Sequence, residues 1–395
     1  MTWDGTGRVA VAGIGFSAVE RRTTTPIGRF ALDAAAAALA DCGLDAADVD
    51  GLATYPTAPF VGAPNREGED VVGVEYLLGT VRDVRWYAQA AEGMITASLR
   101  DAVNALLAGA CRYVLVWRAM YAPPGTYGQH RAGTATGDAQ FSAPYGCVSP
   151  IQWHALAFRA YLERHAADRE KLAALAVNSR ANAALHPHAV FRDRPLTASD
   201  YRESRTISDP LRLHDCDVPV TACVAAVLTT TERARDLRQP VVTVASAAHQ
   251  ATPRPHAVHY TLQDHVEAGA PVVRHLLEDA GLGLADLGAA QLYDGFAPST
   301  LYWLEAAGFC GRGEALDFLQ EGRIARDGAL PLNTFGGSLS QGRLHGMGHV
   351  AEAVEQLRGT AGDRQVRGLA DRPHVLVLDG SPMLRGGGLI LGSDR

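Results

Sequence analysis

A tyrosine that closes a strand-like run, within Tyr293-Asp294-Gly295-Phe296, is the residue of this sequence best suited to proton transfer. The ordinary pKa of a tyrosine, about 10, is too high for a base at neutral pH, so a nearby cation or hydrogen-bond donor must favour the phenolate. Arg343 is the candidate cation. It would lower the pKa of Tyr293 or hold a substrate oxygen, which predicts an acid/base pair.

Further polar groups in the same part of the sequence could complete such a site. His345 lies in the loop of Arg343 and offers a second polar side chain. Backbone amides of the Gly336-Gly337 turn could bind an oxyanion, because glycine lets the chain approach a ligand closely. Asp294 is a weaker substrate-binding candidate, since neighbouring side chains on an extended segment point in opposite directions.

Each of these side chains also has a structural interpretation. Tyr293 could pack at the strand end with its hydroxyl hydrogen-bonded. Arg343 could be the ion-pair partner of Asp294 or Glu352. His345 could stabilise its loop through a hydrogen bond. The residue types alone leave both interpretations open.

A second group of candidates lies on the predicted helix 95–107. Thr96 and Ser98 would face the cleft, where they cap the helix or line the pocket. No metal site is predicted, because the six cysteines form no CxxC pair and the histidines no HExxH pattern. The glycine pattern at residues 13–15 is too short for a dinucleotide-binding motif, so we expect no bound cofactor.

Charge and hydropathy exclude several classes of partner. A net charge of −7 gives no basic field for nucleic acid. Apolar stretches such as residues 34–40 are far shorter than the roughly 18–20 residues of a membrane span. The N-terminus has no secretion signal pattern, so the sequence predicts a cytoplasmic protein with reduced cysteines.

The predicted elements occur twice in the same order. A strand at 8–13, a helix at 27–39 and a strand at 51–55 form a βαβ opening, which predicts a mainly parallel sheet. A strand at 240–245 and a helix at 272–279 repeat this opening. Gly43 and Gly281, Asp48 and Asp286, and Tyr55 and Tyr293 all keep one offset of 238 positions, which predicts two copies of one α/β unit.

The repeat predicts an N-terminal half over residues 1–235 and a C-terminal half over 236–395. Strands at 113–117 and 374–378 follow amphipathic helices in the respective halves. An irregular region at about 121–221 interrupts the first half and includes helical stretches near 151–165 and 169–184. Such an insertion shapes a substrate pocket or forms an oligomer surface, and the sequence favours neither.

Several stretches resemble thiolase-like proteins of the lipid-transfer or sterol-carrier type. They are residues 117–120, 292–296, 304–305, 308–314, 332–337, 345–347 and 356–359. Within that family the Tyr-Asp-x-Phe motif at Tyr293 is similar to that of actinobacterial steroid side-chain aldolases. The resemblance implies a thiolase-like fold of two duplicated βαβαβ halves, stacked as layered sheets and helices with a loop-rich insertion. It also implies retro-aldol cleavage of a β-hydroxyacyl-CoA thioester.

The functional positions of thiolases are replaced in this chain. Thr96 stands where the resemblance places the nucleophilic cysteine, and Tyr293 and Arg343 stand at the two histidine positions. The second cysteine falls within 379–381. Acyl-enzyme chemistry is therefore disfavoured, since a threonine hydroxyl needs a dedicated base. The chain also departs from the aldolases, which carry a second tyrosine at Arg343 and a histidine at Phe335.

The resemblance also implies partners. Related aldolases work with a small OB-fold subunit that carries a zinc ribbon, and a homodimer core is implied as well. Two alternatives stay open: an acyltransferase or condensing enzyme of secondary metabolism that uses another nucleophile, and a non-catalytic acyl-CoA-binding scaffold.

Overall fold

The computed structural model describes residues 3–55, 72–74, 77, 79–90, 94–122, 140–251, 264–383 and 385–393. Residues 123–139 of the predicted insertion lie outside this range. The strands are β1 (Val9–Phe16), β2 (Gly51–Thr54), β3 (Trp86–Gln89), β4 (Tyr113–Met120), β5 (Thr206–Ser208), β6 (Leu211–Arg212), β7 (Ala222–Thr230), β8 (Val242–Ala251), β9 (Leu287–Leu292), β10 (His374–Ser381) and β11 (Arg385–Ser393). The helices are α1 (Ile27–Cys42), α2 (Ile95–Leu107), α3 (Pro150–His165), α4 (Ala173–Ala183), α5 (Ala198–Glu203), α6 (Thr231–Ala234), α7 (His265–Ala280), α8 (Ala297–Ala307), α9 (Ala315–Phe318), α10 (Gly337–Ser340) and α11 (Met347–Arg358).

Nine of the described strands form one sheet in the order β3-β2-β4-β7-β1-β8-β11-β10-β9. The order β2-β4-β7-β1 of the first half matches β9-β10-β11-β8 of the second, which confirms the predicted duplication. The prediction of a mainly parallel sheet is wrong. Only β2 with β3, β2 with β4, and β9 with β10 pair in parallel, because β7 and β11 enter antiparallel between the βαβ strands of each half.

Helices cover the two half-sheets and also separate them. The halves join where β1 and β8 pair at Ala10–Thr243 and Val11–Val242. Helix α1 packs on the outside of the first half, and α7 and α8 on the outside of the second. Helices α2 and α11 contact strands of both halves and share one apolar core with them. This is the layered arrangement that the resemblance implied.

The repeat is also visible in how the first helix of each half ends. Helices α1 and α7 both end at a glycine in the left-handed conformation, Gly43 and Gly281. An aspartate follows in each copy and accepts a backbone N–H three residues before it, at 2.8 Å for both Asp48 and Asp286. The predicted register is therefore confirmed down to single hydrogen bonds.

The insertion packs against the second half. Its helices α3 and α4 share an apolar cluster with α7 and α8, and α4 contacts α10 beside the loop of Arg343. None of the described helices has the length and hydropathy required to cross a bilayer. All six cysteines are unpaired.

Candidate active site

The predicted residues meet where strands β9 and β10 end, beside the start of α2 and the loop before α11. The N–H of Tyr293 donates to the carbonyl of Leu378 at 2.9 Å, so Tyr293 extends the parallel pairing of the two strands. The Tyr293 ring packs against the central apolar core but keeps part of its surface exposed. The residue is therefore not sealed within the core, as the sequence-based hypothesis requires.

The protonation state of Tyr293 differs from the prediction. Burial raises the pKa of Tyr293 well above its usual value, and the charge of Asp217 raises it further. The Arg343 guanidinium lowers this pKa, as predicted, but it does not outweigh the other two effects. The hydroxyl is therefore protonated at neutral pH. It can donate a hydrogen bond or a proton, but it is not a standing phenolate.

Arg343 pairs with a carboxylate that sequence reasoning missed. Its Nε lies 3.8 Å from Oδ2 of Asp217, whereas Asp294 and Glu352 pair with other residues. Asp217 is held between two loops, since its N–H donates to Gly295 at 3.0 Å and the N–H of Arg343 donates to the next residue at 2.9 Å. The Arg343 side chain is 20% exposed, so it is only partly enclosed by the loops around it.

His345 is buried with a left-handed backbone, φ 46°, which is costly for a residue other than glycine and typical of functional loops. Its Nδ1 lies 3.2 Å from Nη2 of Arg118. A guanidinium only donates, so Nδ1 accepts and Nε2 carries the hydrogen. Burial and the charges of Arg118 and Arg343 lower the pKa of His345 well below its usual value. His345 is thus a neutral donor.

Asp294, Gly336 and Gly337 form the frame of the site. The Asp294 carboxylate accepts the N–H groups of Ser338 at 2.7 Å and Leu339 at 3.3 Å, and Oδ1 lies 3.2 Å from Nε2 of His349. The N–H of Gly336 donates to the carbonyl of Asn333, and a side chain at Gly337 would collide with Asp294. The amides of Ser338 and Leu339 in α10 therefore bind a carboxylate of the chain itself.

The two hydroxyls of α2 have different surroundings. The Ser98 hydroxyl donates to the carbonyl of Thr54 at 2.8 Å and so anchors the helix to β2. The Thr96 hydroxyl donates to Oδ1 of Asp379 at 2.8 Å, and its N–H donates to Oδ2 at 2.9 Å. No base neighbours Thr96 along the sequence, whereas the fold places Asp379 beside it from 283 positions away.

One described group of side chains has metal-ligand geometry. His186, Glu352 and Glu355 bring one ligand atom each within 4.8 Å of one another. Arg364, however, pairs with both carboxylates, with Nε 3.0 Å from Oε2 of Glu352. The guanidinium supplies the positive charge there.

Three kinds of comparison agree on the family. The thiolase C-terminal domain-like family matches residues 256–372. The 17-hydroxy-3-oxo-4-pregnene-20-carboxyl-CoA lyase of Mycobacterium tuberculosis is 36% identical over 98% of this chain and 99% of its own. The steroid side-chain-cleaving aldolase of Thermomonospora curvata is 34% identical over the same shares. The solved Ltp2-ChsH2(DUF35) aldolase superposes with a TM-score of 0.87 at 32% identity, with 99% of both chains covered.

Proposed function

Because this chain belongs to the thiolase-like family that includes the steroid side-chain-cleaving aldolases, we propose that it cleaves a steroid β-hydroxyacyl-CoA thioester by a retro-aldol reaction. The products are a shorter acyl-CoA and a ketone. The observation that carries the proposal is the protonated phenol of the partly exposed Tyr293 near the ion pair of Arg343 and Asp217, whose charges both act on it. The acyl group arrives as a CoA thioester, and the reaction needs no further cofactor.

The cleavage has two chemical requirements, and a different set of side chains meets each one. The β-hydroxyl must lose its proton while the Cα–Cβ bond breaks, and the enolate oxygen of the thioester must be stabilised. Tyr293 takes the hydroxyl proton as its own proton moves to the Asp217 carboxylate. Arg343 and the Nε2–H of His345 bind the thioester oxygen as its negative charge develops.

A direct assay tests the proposal. The purified protein, alone and with a co-expressed OB-fold subunit, is incubated with the CoA thioester of 17-hydroxy-3-oxo-4-pregnene-20-carboxylic acid. Mass spectrometry then follows the release of a 17-keto steroid and propionyl-CoA, the fragments on either side of the broken bond. A thioester that stays intact in both preparations would exclude this substrate. A panel of other β-hydroxyacyl-CoA thioesters would then separate a wrong substrate from a wrong reaction.

A second function, acyl transfer, is favoured by one observation. The Thr96 hydroxyl at the start of α2 donates to a buried carboxylate, which is the geometry of an activated nucleophile. Intact-protein mass spectrometry after incubation with acyl-CoA separates the two reactions. We expect no added acyl mass, whereas an adduct that maps to Thr96 would replace the aldolase with a transferase.

The partners are part of the proposal. The solved relative is a complex with a DUF35 protein, and we propose that this chain likewise works with a small OB-fold, zinc-ribbon subunit that helps to bind the CoA thioester. Pull-down of such a subunit encoded beside this gene, followed by the assay with and without it, tests the requirement. Unchanged activity without the subunit would remove it from the proposal.

We also propose that the chain forms a homodimer in which the β3 strands of two copies pair. Strand β3 is at the edge of the sheet, and its Tyr87 is 65% exposed. Edge strands with exposed aromatics favour pairing with another chain. We expect light scattering to give about twice the 41.9 kDa chain mass.

Replacing Tyr87 with lysine should weaken this dimer at least about tenfold, because a charge at the strand edge opposes pairing. Tyr145→Lys is the matched control, since Tyr145 is also an exposed aromatic, 86% exposed, but lies outside the sheet. Dissociation measured by analytical ultracentrifugation should change for the first variant only. Equal effects of both variants, or a wild-type monomer, would contradict the assignment of β3.

A further inference from the structure

A row of polar positions crosses the second half of the sheet beside Tyr293. Tyr293 directly follows the paired residues of β9 and β10, and on β10 the next residue is Asp379. Asp379 is opposite Gly387 of β11, and Gly387 is opposite His249 of β8. Residues opposite one another on neighbouring strands present their side chains on the same face. Asp379 therefore shares the face of Val375 and Val377, which belong to the central apolar core.

The start of α2 inserts into this row. Thr96 donates both its hydroxyl and its N–H to the Asp379 carboxylate. A Cβ at Gly387 would lie 2.6 Å from Oγ1 of Thr96 and 2.8 Å from Nδ1 of His249. Only glycine leaves room at position 387. The missing side chain lets the Asp379 carboxyl, the Thr96 hydroxyl and the His249 imidazole lie close together.

The carboxyl is suited to exchange a proton near neutral pH. Burial raises the pKa of Asp379 to about 7, although hydrogen bonds from Thr96 and Gly387 partly oppose this. Asp379 and Thr96 are sealed from solvent, whereas Tyr293 and His249 on either side of them are partly exposed. The Thr96 hydroxyl therefore lies in the row between these two partly exposed side chains.

We propose that the Thr96 hydroxyl, backed by Asp379, delivers the proton that the α-carbon of the acyl-CoA enolate needs after the Cα–Cβ bond has broken. This inference rests on the proposed retro-aldol function and deepens it. The enolate electron pair forms the new Cα–H bond with the Thr96 proton, and the thioester carbonyl re-forms. Thr96 takes the Asp379 proton, which leaves a carboxylate. Once the products have left, Asp379 regains a proton through the Thr96 hydroxyl and Asp217 loses the β-hydroxyl proton through Tyr293, so each turnover is balanced.

Hydrogen exchange at the α-carbon tests the proposal, because a structural role of the pair would not change it selectively. The wild-type protein is incubated in D2O with propionyl-CoA and a 17-keto steroid, and deuterium at the α-carbon is followed by mass spectrometry. We expect Asp379→Asn and Thr96→Val to slow this exchange by roughly 10²-fold or more, the usual contribution of a proton-transfer group. Thr96→Ser keeps the hydroxyl and should exchange at least about tenfold faster than Thr96→Val.

The control is Thr229→Val, which removes a buried hydroxyl bonded to Arg112 in the other half of the sheet. Its exchange rate should equal that of the wild type. If Asp379→Asn fails to fold, the comparison of exchange rates between Thr96→Val and Thr96→Ser is sufficient to test the inference. Wild-type exchange in folded Thr96→Val, with cleavage activity present in the wild type, would overturn the inference and leave the function standing. A wild type that neither cleaves nor exchanges would instead overturn the proposed function.

Discussion

Replacing Tyr293 with phenylalanine should lower kcat for β-hydroxyacyl-CoA cleavage by roughly 10²- to 10⁴-fold, the range for loss of a general acid/base. The phenol is held protonated by burial and by the Asp217 charge, so the variant loses both the acceptor of the hydroxyl proton and the path to Asp217. KM should change much less, because one hydroxyl contributes little to binding of a large thioester. Steady-state kinetics with the full complex measures both constants.

Tyr55→Phe is the matched control for this variant. Tyr55 occupies the equivalent position of the first repeat, is buried, and has its hydroxyl 3.7 Å from Sδ of Met94. Removing that hydroxyl should reduce kcat less than tenfold. Full activity of Tyr293→Phe, or an equal loss in both variants, would remove Tyr293 from the proton-transfer step. Circular dichroism and thermal unfolding would establish that both variants are folded.

Replacing Asp294 with alanine should lower the free energy of unfolding by about 3–5 kcal/mol, because three buried hydrogen-bond partners would be left unsatisfied at about 1–3 kcal/mol each. The side chains of Asp294 and His349 are 0% and 2% exposed, so His349 and the amides of Ser338 and Leu339 would lose a buried partner at once. Chemical denaturation with linear extrapolation measures the change. Activity should fall as well, because this carboxylate joins the loop of Tyr293 to α10.

The contrast for this variant is Asp286→Ala, in the same half of the chain. Asp286 also accepts a backbone N–H, but it is exposed. Water replaces such a bond, so the loss should be roughly 1 kcal/mol or less. A loss below 1 kcal/mol for Asp294→Ala would show that the buried pair does not hold the loop. The site would then owe its shape to packing alone.

The sequence predicted the elements of this fold better than their pairing. The helix at 95–107 has the predicted ends, because its apolar spacing and Gly109 are local signals. The offset of 238 positions correctly paired Asp48 with Asp286. The direction of β7 was missed because it pairs with β1 and β4, which lie far along the chain, and no local pattern records such contacts. Strand β11 instead forms a short antiparallel hairpin with the preceding β10.

The candidate site shows the same contrast between local sequence signals and contacts made only in the fold. Tyr293, Arg343 and His345 were found because motif residues cluster within about fifty positions of each other. Asp217 and Asp379 were missed as site residues, because each reaches its partner from more than eighty positions away and has no motif of its own. Arg343 lowers the pKa of Tyr293 as predicted, but the net rise was missed, since burial and the charge of Asp217 are properties of the assembled structure.

The layered arrangement has a consequence for the history of the molecule. Thr96 and Arg118 come from one repeat, and Asp379 and His345, which they contact, come from the other, so the candidate site is built from both repeats. A single ancestral unit could have formed such a pocket only by associating with a second copy of itself. In a duplicated chain each copy is free to diverge, which allows a phenol in one and a threonine in the other.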